Sequence, residues 1–315
     1  MMRTFFLILN FLISAWSISF AQEMKLPLER KNGKLLSQWI INNTVEAEVF
    51  LETGFPKIVI SENFAKKHLY NLVKMTEAPV NTHIALWDSP NQRYKVSYLI
   101  NDTLIVNGEK LKIDALVTDF AARKSWENCD IIFPLFDLSS KIELNIKENY
   151  MKINHESEFP STGIIVYEAK RDNRTKGLYI ATTLKIYDTY NKSEELSGNF
   201  LFDLGAGNTF FLNKNLSEVS TFVTQSDRMQ VKDTTRFQPN HKAELSIIIP
   251  DRIIFDKIEI KETFIAAMKL FVSNSSNKYV GVIGTSFFTH FIVIFDFDNN
   301  KLYLKPNSDN VKIFE

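Results

Sequence analysis

Cysteine is nearly absent from this 315-residue chain. Cys129 is the only one, so no internal disulfide can staple the fold and stability has to come from packing. Net charge is absent too: 37 basic and 37 acidic residues cancel, leaving no broad field for nucleic acid or an anionic membrane surface. The five histidines, at 68, 83, 155, 241 and 290, have no spacing that sets two on one helix or strand face, and no metal site is expected. Neither G-x-x-x-x-G-K-[ST] nor G-x-G-x-x-G occurs. The usual phosphate cradles are therefore missing, and no cofactor is expected. The apolar run from Phe5 to Ile18 is shorter than the roughly 20 residues that span a bilayer.

That run has another reading. Arg3 precedes it, and Ser19-Phe20-Ala21 follows with small residues where a signal peptidase reads, so residues 1–21 are expected to be a signal peptide and the mature chain to begin near Gln22. An uncleaved signal anchor is the alternative. No cysteine follows the run, so lipid attachment there is not indicated. A secreted or periplasmic protein is expected, with no membrane span once the signal is removed.

The rest has ordinary globular composition, 45% hydrophobic and 23% charged, enough for one large core or two medium ones. Most segments are five to eight residues rich in Ile, Val, Phe, Tyr and Thr, divided by Asn, Gly, Asp, Lys and Pro, and the chain reads as mainly β. Expected strands include 35–41, 95–100, 178–187 and 291–297, and the stretch 103–117 reads as a hairpin turning at Asn107-Gly108. Helices look few and short. The clearest is 61–69, with Ser61 as its N-cap and Lys and His in its last turn. The 26 phenylalanines are most simply core, with some available to line a cleft.

Two acidic turns repeat one construction. "FLETGFPKIVIS" (50–61) and "FLFDLGAGNTFFL" (200–212) each run from an apolar strand through acidic-x-Gly into another apolar strand. Glu52 and Asp203 are 203 − 52 = 151 residues apart. The segments beginning at Asp130 and Gly281 align without gaps at the same offset, 281 − 130 = 151, with 142–146 against 293–297. Two landmarks that share one offset point to a duplicated domain, because loop lengths otherwise drift. Lobes at 22–157 and 158–315 are expected, with the seam in the polar stretch 154–162.

Acidic-x-Gly in each half, followed about 78 residues later by an apolar run ending "GVIG" in the second, resembles the two-lobed retropepsin-like and pepsin-like aspartic peptidases. The resemblance covers essentially the whole mature chain. It implies an all-β protein with few short helices and two homologous lobes of the aspartic-peptidase β-barrel type. A cleft between the lobes would bind an extended peptide, or a protein substrate or ligand, and the protein is expected to be a monomer. It further implies that Glu52 and Asp203 form the catalytic dyad, that Thr53, Gly54 and Gly205 support the active-site loops, and that Gly284 packs against the loop of its own lobe. A flap hairpin is implied between the first acid and Asp130, with Trp87 or Tyr94 as candidate donors within 87–99; ordinary strand packing is the bland reading of either. Two carboxylates about 3 Å apart cannot both ionise, so they share a proton, one activating water and the other protonating the carbonyl.

Four departures from the family pattern involve five residues. Glu52 replaces an aspartate, Leu204 replaces the second threonine, Phe55-Pro56 replaces small residues, and Phe133 aligns with Gly284. One extra carbon–carbon bond would displace the carboxyl by roughly 1.5 Å on the same backbone. The same architecture therefore also fits a catalytically inactive pseudopeptidase that binds peptides or proteins. Cys129, with no histidine adjacent in its motif, reads as a small buried residue rather than a nucleophile.

Overall fold

The structure, a computed structural model, describes residues 23–86, 89–120, 126, 128–153, 163–173, 175–233, 245–261, 263–268 and 279–314. The expected signal segment, the seam at 154–162 and Trp87 lie outside them. The described residues are mainly strand with a few short helices, so the class is all-β. Among them, no helix is long and apolar enough to cross a membrane.

Strands of the first half are β1 (Met24–Pro27), β2 (Glu29–Lys31), β3 (Lys34–Ile41), β4 (Val45–Glu52), β5 (Ile58–Ser61), β6 (Met75–Glu77), β7 (His83–Leu86), β8 (Ser89–Val106), β9 (Glu109–Thr118), β10 (Ile131–Pro134), β11 (Lys141–Asn145) and β12 (Tyr150–Ile153). The second half supplies β13 (Ile165–Glu168), β14 (Lys170–Arg171), β15 (Leu178–Tyr187), β16 (Ser193–Phe202), β17 (Phe210–Asn213), β18 (Gln230–Asp233), β19 (Leu245–Ile248), β20 (Arg252–Phe255), β21 (Ile258–Ile260), β22 (Ile265–Met268), β23 (Tyr279–Ile283), β24 (Phe291–Asp296), β25 (Lys301–Pro306) and β26 (Val311–Ile313).

A nine-stranded sheet contains the path β3-β4-β10-β5-β9-β8, and an eleven-stranded sheet contains β15-β16-β23-β17-β22-β19. The two paths use their strands in the same chain order. They also alternate antiparallel and parallel pairings in the same way, from β3 antiparallel to β4 and β15 antiparallel to β16 onward. Central strands read as continuous apolar runs because both faces are covered: β10 is Ile-Ile-Phe-Pro and buried throughout, as is β23. Outer strands such as β13 alternate buried and exposed. The Asn107-Gly108 turn forms as expected, both residues at positive φ, 48° and 90°.

A six-stranded sheet, β1-β12-β11-β24-β25-β13, joins the halves, with β11 antiparallel to β24 at its middle. Asn145 pairs with Tyr150 in one hairpin and Asp296 with Lys301 in the other, steps of 151 residues on both strands. The register elsewhere corrects one expectation. Ile131–Phe133 lie beside Val49–Leu51, and Gly281–Ile283 beside Phe200–Phe202, so here the step is 281 − 131 = 150. Pro134, not Phe133, is the counterpart of Gly284. The lost residue reappears just downstream, where the first half makes a 3₁₀ turn (Leu135–Asp137) and the second an α-helical turn (Thr285–Phe288); a 3₁₀ turn takes about three residues and an α turn about 3.6. Phe133 instead points into the core, its ring 5.0 Å from Trp39.

The segment after β5 is helical as expected, but α1 (Glu62–Phe64) passes at once into a π-helical turn, Ala65–Leu69. Ser61 holds the N-cap position without a side-chain cap bond. Much of the phenylalanine is core: Phe210, Phe255, Phe287, Phe288 and Phe291 form a run of ring contacts 5.0–5.9 Å apart in the second half.

Candidate active site

Apolar strands β4 and β16 carry the two acids to their C-terminal tips, and each chain must turn back at once to form β5 or β17. Residues 52–54 and 203–205 make those turns, and the geometry of the two is alike. Glu52 Oε1 accepts the backbone N–H of Gly54 at 2.8 Å and of Thr53 at 3.2 Å; Asp203 Oδ1 accepts the N–H of Gly205 at 2.8 Å. The carboxyl groups of Glu52 and Asp203 also hydrogen-bond to each other. The acids that sequence spacing pairs are thus brought together across 151 residues.

Their surroundings differ. Glu52 is buried, 8% exposed, whereas Asp203 is half-buried. Burial, the Asp203 charge and the bond to Asp203 push Glu52 well above the ordinary carboxylate range, against the two backbone N–H bonds.

The glycines show where the longer acid goes. A Cβ placed on Gly54 would lie 3.1 Å from Asp203 Cγ, but one placed on Gly205 would lie only 2.0 Å from Glu52 Oε2. Glutamate therefore fits by reaching over the bare Cα of Gly205, with no side chain there to stop it. Gly284 serves its own half: a Cβ there would meet Asn208 O at 2.2 Å and Ala206 O at 2.3 Å, so the 203–209 loop folds directly onto it.

Thr53 ties the loops together. Its buried Oγ1 donates to Phe202 O at 3.0 Å and accepts the N–H of Leu204 at 2.9 Å. Leucine at 204 has no hydroxyl to return the pair. It is buried, and its carbonyl instead accepts Thr285 Oγ1 at 2.6 Å. Replacing Thr53 by valine strands a buried donor and a buried acceptor, and is expected to cost about 3 kcal/mol in urea-denaturation stability; Thr53→Ser should recover most of it.

Further contacts support the second acidic loop, two from residues that directly follow the "GVIG" run and one, from Arg30, that no motif marks. Thr285 N–H donates to Ala206 O (2.7 Å), Ser286 Oγ to Gly207 O (2.5 Å), and Arg30, from the first half, reaches Ser286 Oγ (2.6 Å) and Gly207 O (3.3 Å). Gly33 also packs on Gly207, a Cβ there falling 3.1 Å from its Cα.

Of the flap candidates, Trp87 is outside the described residues and Tyr94 is on the β7–β8 hairpin, where Ile84 pairs with it. Tyr94 is buried, 5.9 Å from Trp126, which also meets Phe120 and, edge-on, Phe55 beside Gly54. Ring contacts thus run from the hairpin to the first acidic loop. Cys129 lies buried in the same apolar cluster, where burial pushes its thiol up to about 11, the protonated state of a packing residue.

The chain matches no protein-family model and no curated protein sequence.

Proposed function

We propose that this protein is an aspartic-peptidase-like hydrolase of two related lobes, 22–157 and 158–315, exported by its N-terminal segment. It takes extended peptides between the lobes and cuts them with a mixed dyad. The observation that carries the reading is the hydrogen-bonded Glu52–Asp203 pair, one carboxyl from each half, with Gly54 and Gly205 beside them and Thr53 bridging the loops. The matching strand orders of the two large sheets support the lobes.

Burial divides the roles. Asp203, the more exposed acid, takes a proton from water as the water oxygen bonds to the peptide carbonyl carbon. Glu52 gives its proton to the carbonyl oxygen, leaving a neutral gem-diol. Collapse reverses both transfers: Glu52 recovers a proton from a diol hydroxyl, Asp203 protonates the amide nitrogen, and the C–N bond breaks. Two backbone N–H donors hold Glu52 for this exchange, so little reorganisation is required during it.

The test is incubation of the mature protein with a diverse peptide mixture from pH 3 to 8 beside Asp203→Asn. Wild type should release new termini and the variant none. Cleavage that persists in Asp203→Asn removes Asp203 from the mechanism. A second reading, a peptide-binding pseudopeptidase, is favoured by Leu204, which leaves the interloop threonine bonds one-sided. It predicts retention of peptides without new termini at any pH.

A further inference from the structure

We propose that the turn formed by Asp172, Thr175, Lys176 and Gly177 is a positioning brace for the Glu52 loop, held by a buried Asp172–Tyr279 hydrogen bond and pressing from the second half on the carbonyl of Thr53. The inference rests on the dyad reading above. Its starting point is Gly177, where a Cβ would fall 2.7 Å from the carbonyl oxygen of Thr53 and 3.1 Å from Leu201 Cδ1. The second half thus lays bare backbone directly on the first acidic turn. Gly33 does the converse on Gly207, so each acidic loop is pressed by a turn from the opposite half.

Several bonds among the described residues hold residue 177 there. Asp172 N–H donates to Gly177 O at 2.9 Å, and Asp172 Oδ1 accepts the N–H of Thr175 at 2.7 Å. Lys176 N–H returns to Asp172 O at 2.9 Å, and Gly177 N–H reaches Thr175 Oγ1 at 3.3 Å. The other carboxylate oxygen, Oδ2, accepts the Tyr279 hydroxyl. Asp172, Thr175 and Tyr279 are all buried, at 3%, 1% and 4% exposure. A hydrogen bond so enclosed fixes geometry strongly, because its partners have no water to turn to. Tyr279 opens β23, the strand that runs parallel to β16 toward Asp203, and its ring lies 5.5 Å from Tyr179. One tyrosine therefore ties the brace to the strand beneath one acid while the brace presses on the loop of the other. Such a link sets carboxyl separation, to which rate is sensitive at the ångström level.

The test follows Glu52 itself as well as turnover. In protein labelled with carboxyl-¹³C glutamate, the Glu52 resonance is the one missing from Glu52→Gln. Tyr279→Phe and Asp172→Ala should move its titration midpoint down toward the ordinary glutamate range and lower kcat about tenfold, with KM within about twofold. Asp172→Asn, which keeps an acceptor for Thr175 and a partner for the tyrosine, should stay near wild type in both. Gly177→Ala, which meets backbone, should give the largest change. Unchanged midpoint and kcat in Tyr279→Phe and Gly177→Ala overturn the brace, as does a midpoint that falls as far in Asp172→Asn as in Asp172→Ala. If wild type cuts nothing while the midpoint still follows these variants, the peptidase reading fails and the brace stands. An ordinary Glu52 midpoint in wild type overturns both.

Discussion

Glu52→Gln is expected to give a protein that cuts peptides at least about 10³-fold more slowly and yet resists unfolding better than wild type at pH 7. The two effects share a cause. Glutamine copies the protonated carboxyl: its amide can donate to Asp203 and its oxygen can accept the N–H groups of Thr53 and Gly54 that now serve Oε1. It cannot lend a proton to a substrate carbonyl. For stability, the folded protein holds the Glu52 proton more tightly than the unfolded chain does, because burial and Asp203 raise its pKa. The stability contributed by that proton is fully present below the unfolded value of roughly 4.3 and is lost as pH rises through the folded value, at about 1.4 kcal/mol per pH unit between the two. Wild type and variant should therefore match at pH 4 and diverge upward, the variant ahead. Urea denaturation of both from pH 4 to 8 measures the divergence; a flat difference means that Glu52 keeps an ordinary affinity for its proton.

Gly205→Ala is expected to lower kcat/KM by about 10²-fold or more, and Glu52→Asp in the same chain to restore much of the loss. The added methyl would sit 2.0 Å from Glu52 Oε2 and 2.8 Å from its Cδ. Contacts this short force movement, and the carboxyl cannot swing aside without giving up its bonds to Thr53, Gly54 and Asp203. Aspartate is shorter by one carbon–carbon bond, roughly 1.5 Å, and withdraws from the methyl. In a Gly205 background the same Glu52→Asp change leaves a gap between the acids and should lower activity. The substitution thus changes sign with the residue opposite, and steady-state kinetics on the four proteins of the cycle measure the coupling. Independent losses that simply add would mean that Glu52 does not occupy the space above Gly205.

The acidic pair was legible because the two acidic turns and the two later apolar segments share one offset in the sequence, and Glu52 and Asp203 do meet. Strands were legible for a local reason: β-branched and aromatic residues alternate or run between turn formers, as in 178–187, which is β15 to the residue. The π-helical turn at Ala65–Leu69 was not, since the same pattern suits an ordinary α-helix. Nor was the counterpart of Gly284. A gapless alignment chooses Phe133, and only the backbone register, with a 3₁₀ turn facing an α turn, identifies Pro134.

The sequence by itself determined which residues could be acid, glycine and strand, since those are properties of single residues and their near neighbours. Tertiary structure alone decided how the longer acid, Glu52, fits beside Asp203. That answer depends on the empty space above Gly205, on Gly177 against Thr53 and on Arg30 reaching Gly207, contacts between residues 124 to 177 positions apart. No local pattern encodes such contacts, because each side chain is chosen against a partner that comes near only after both halves have folded.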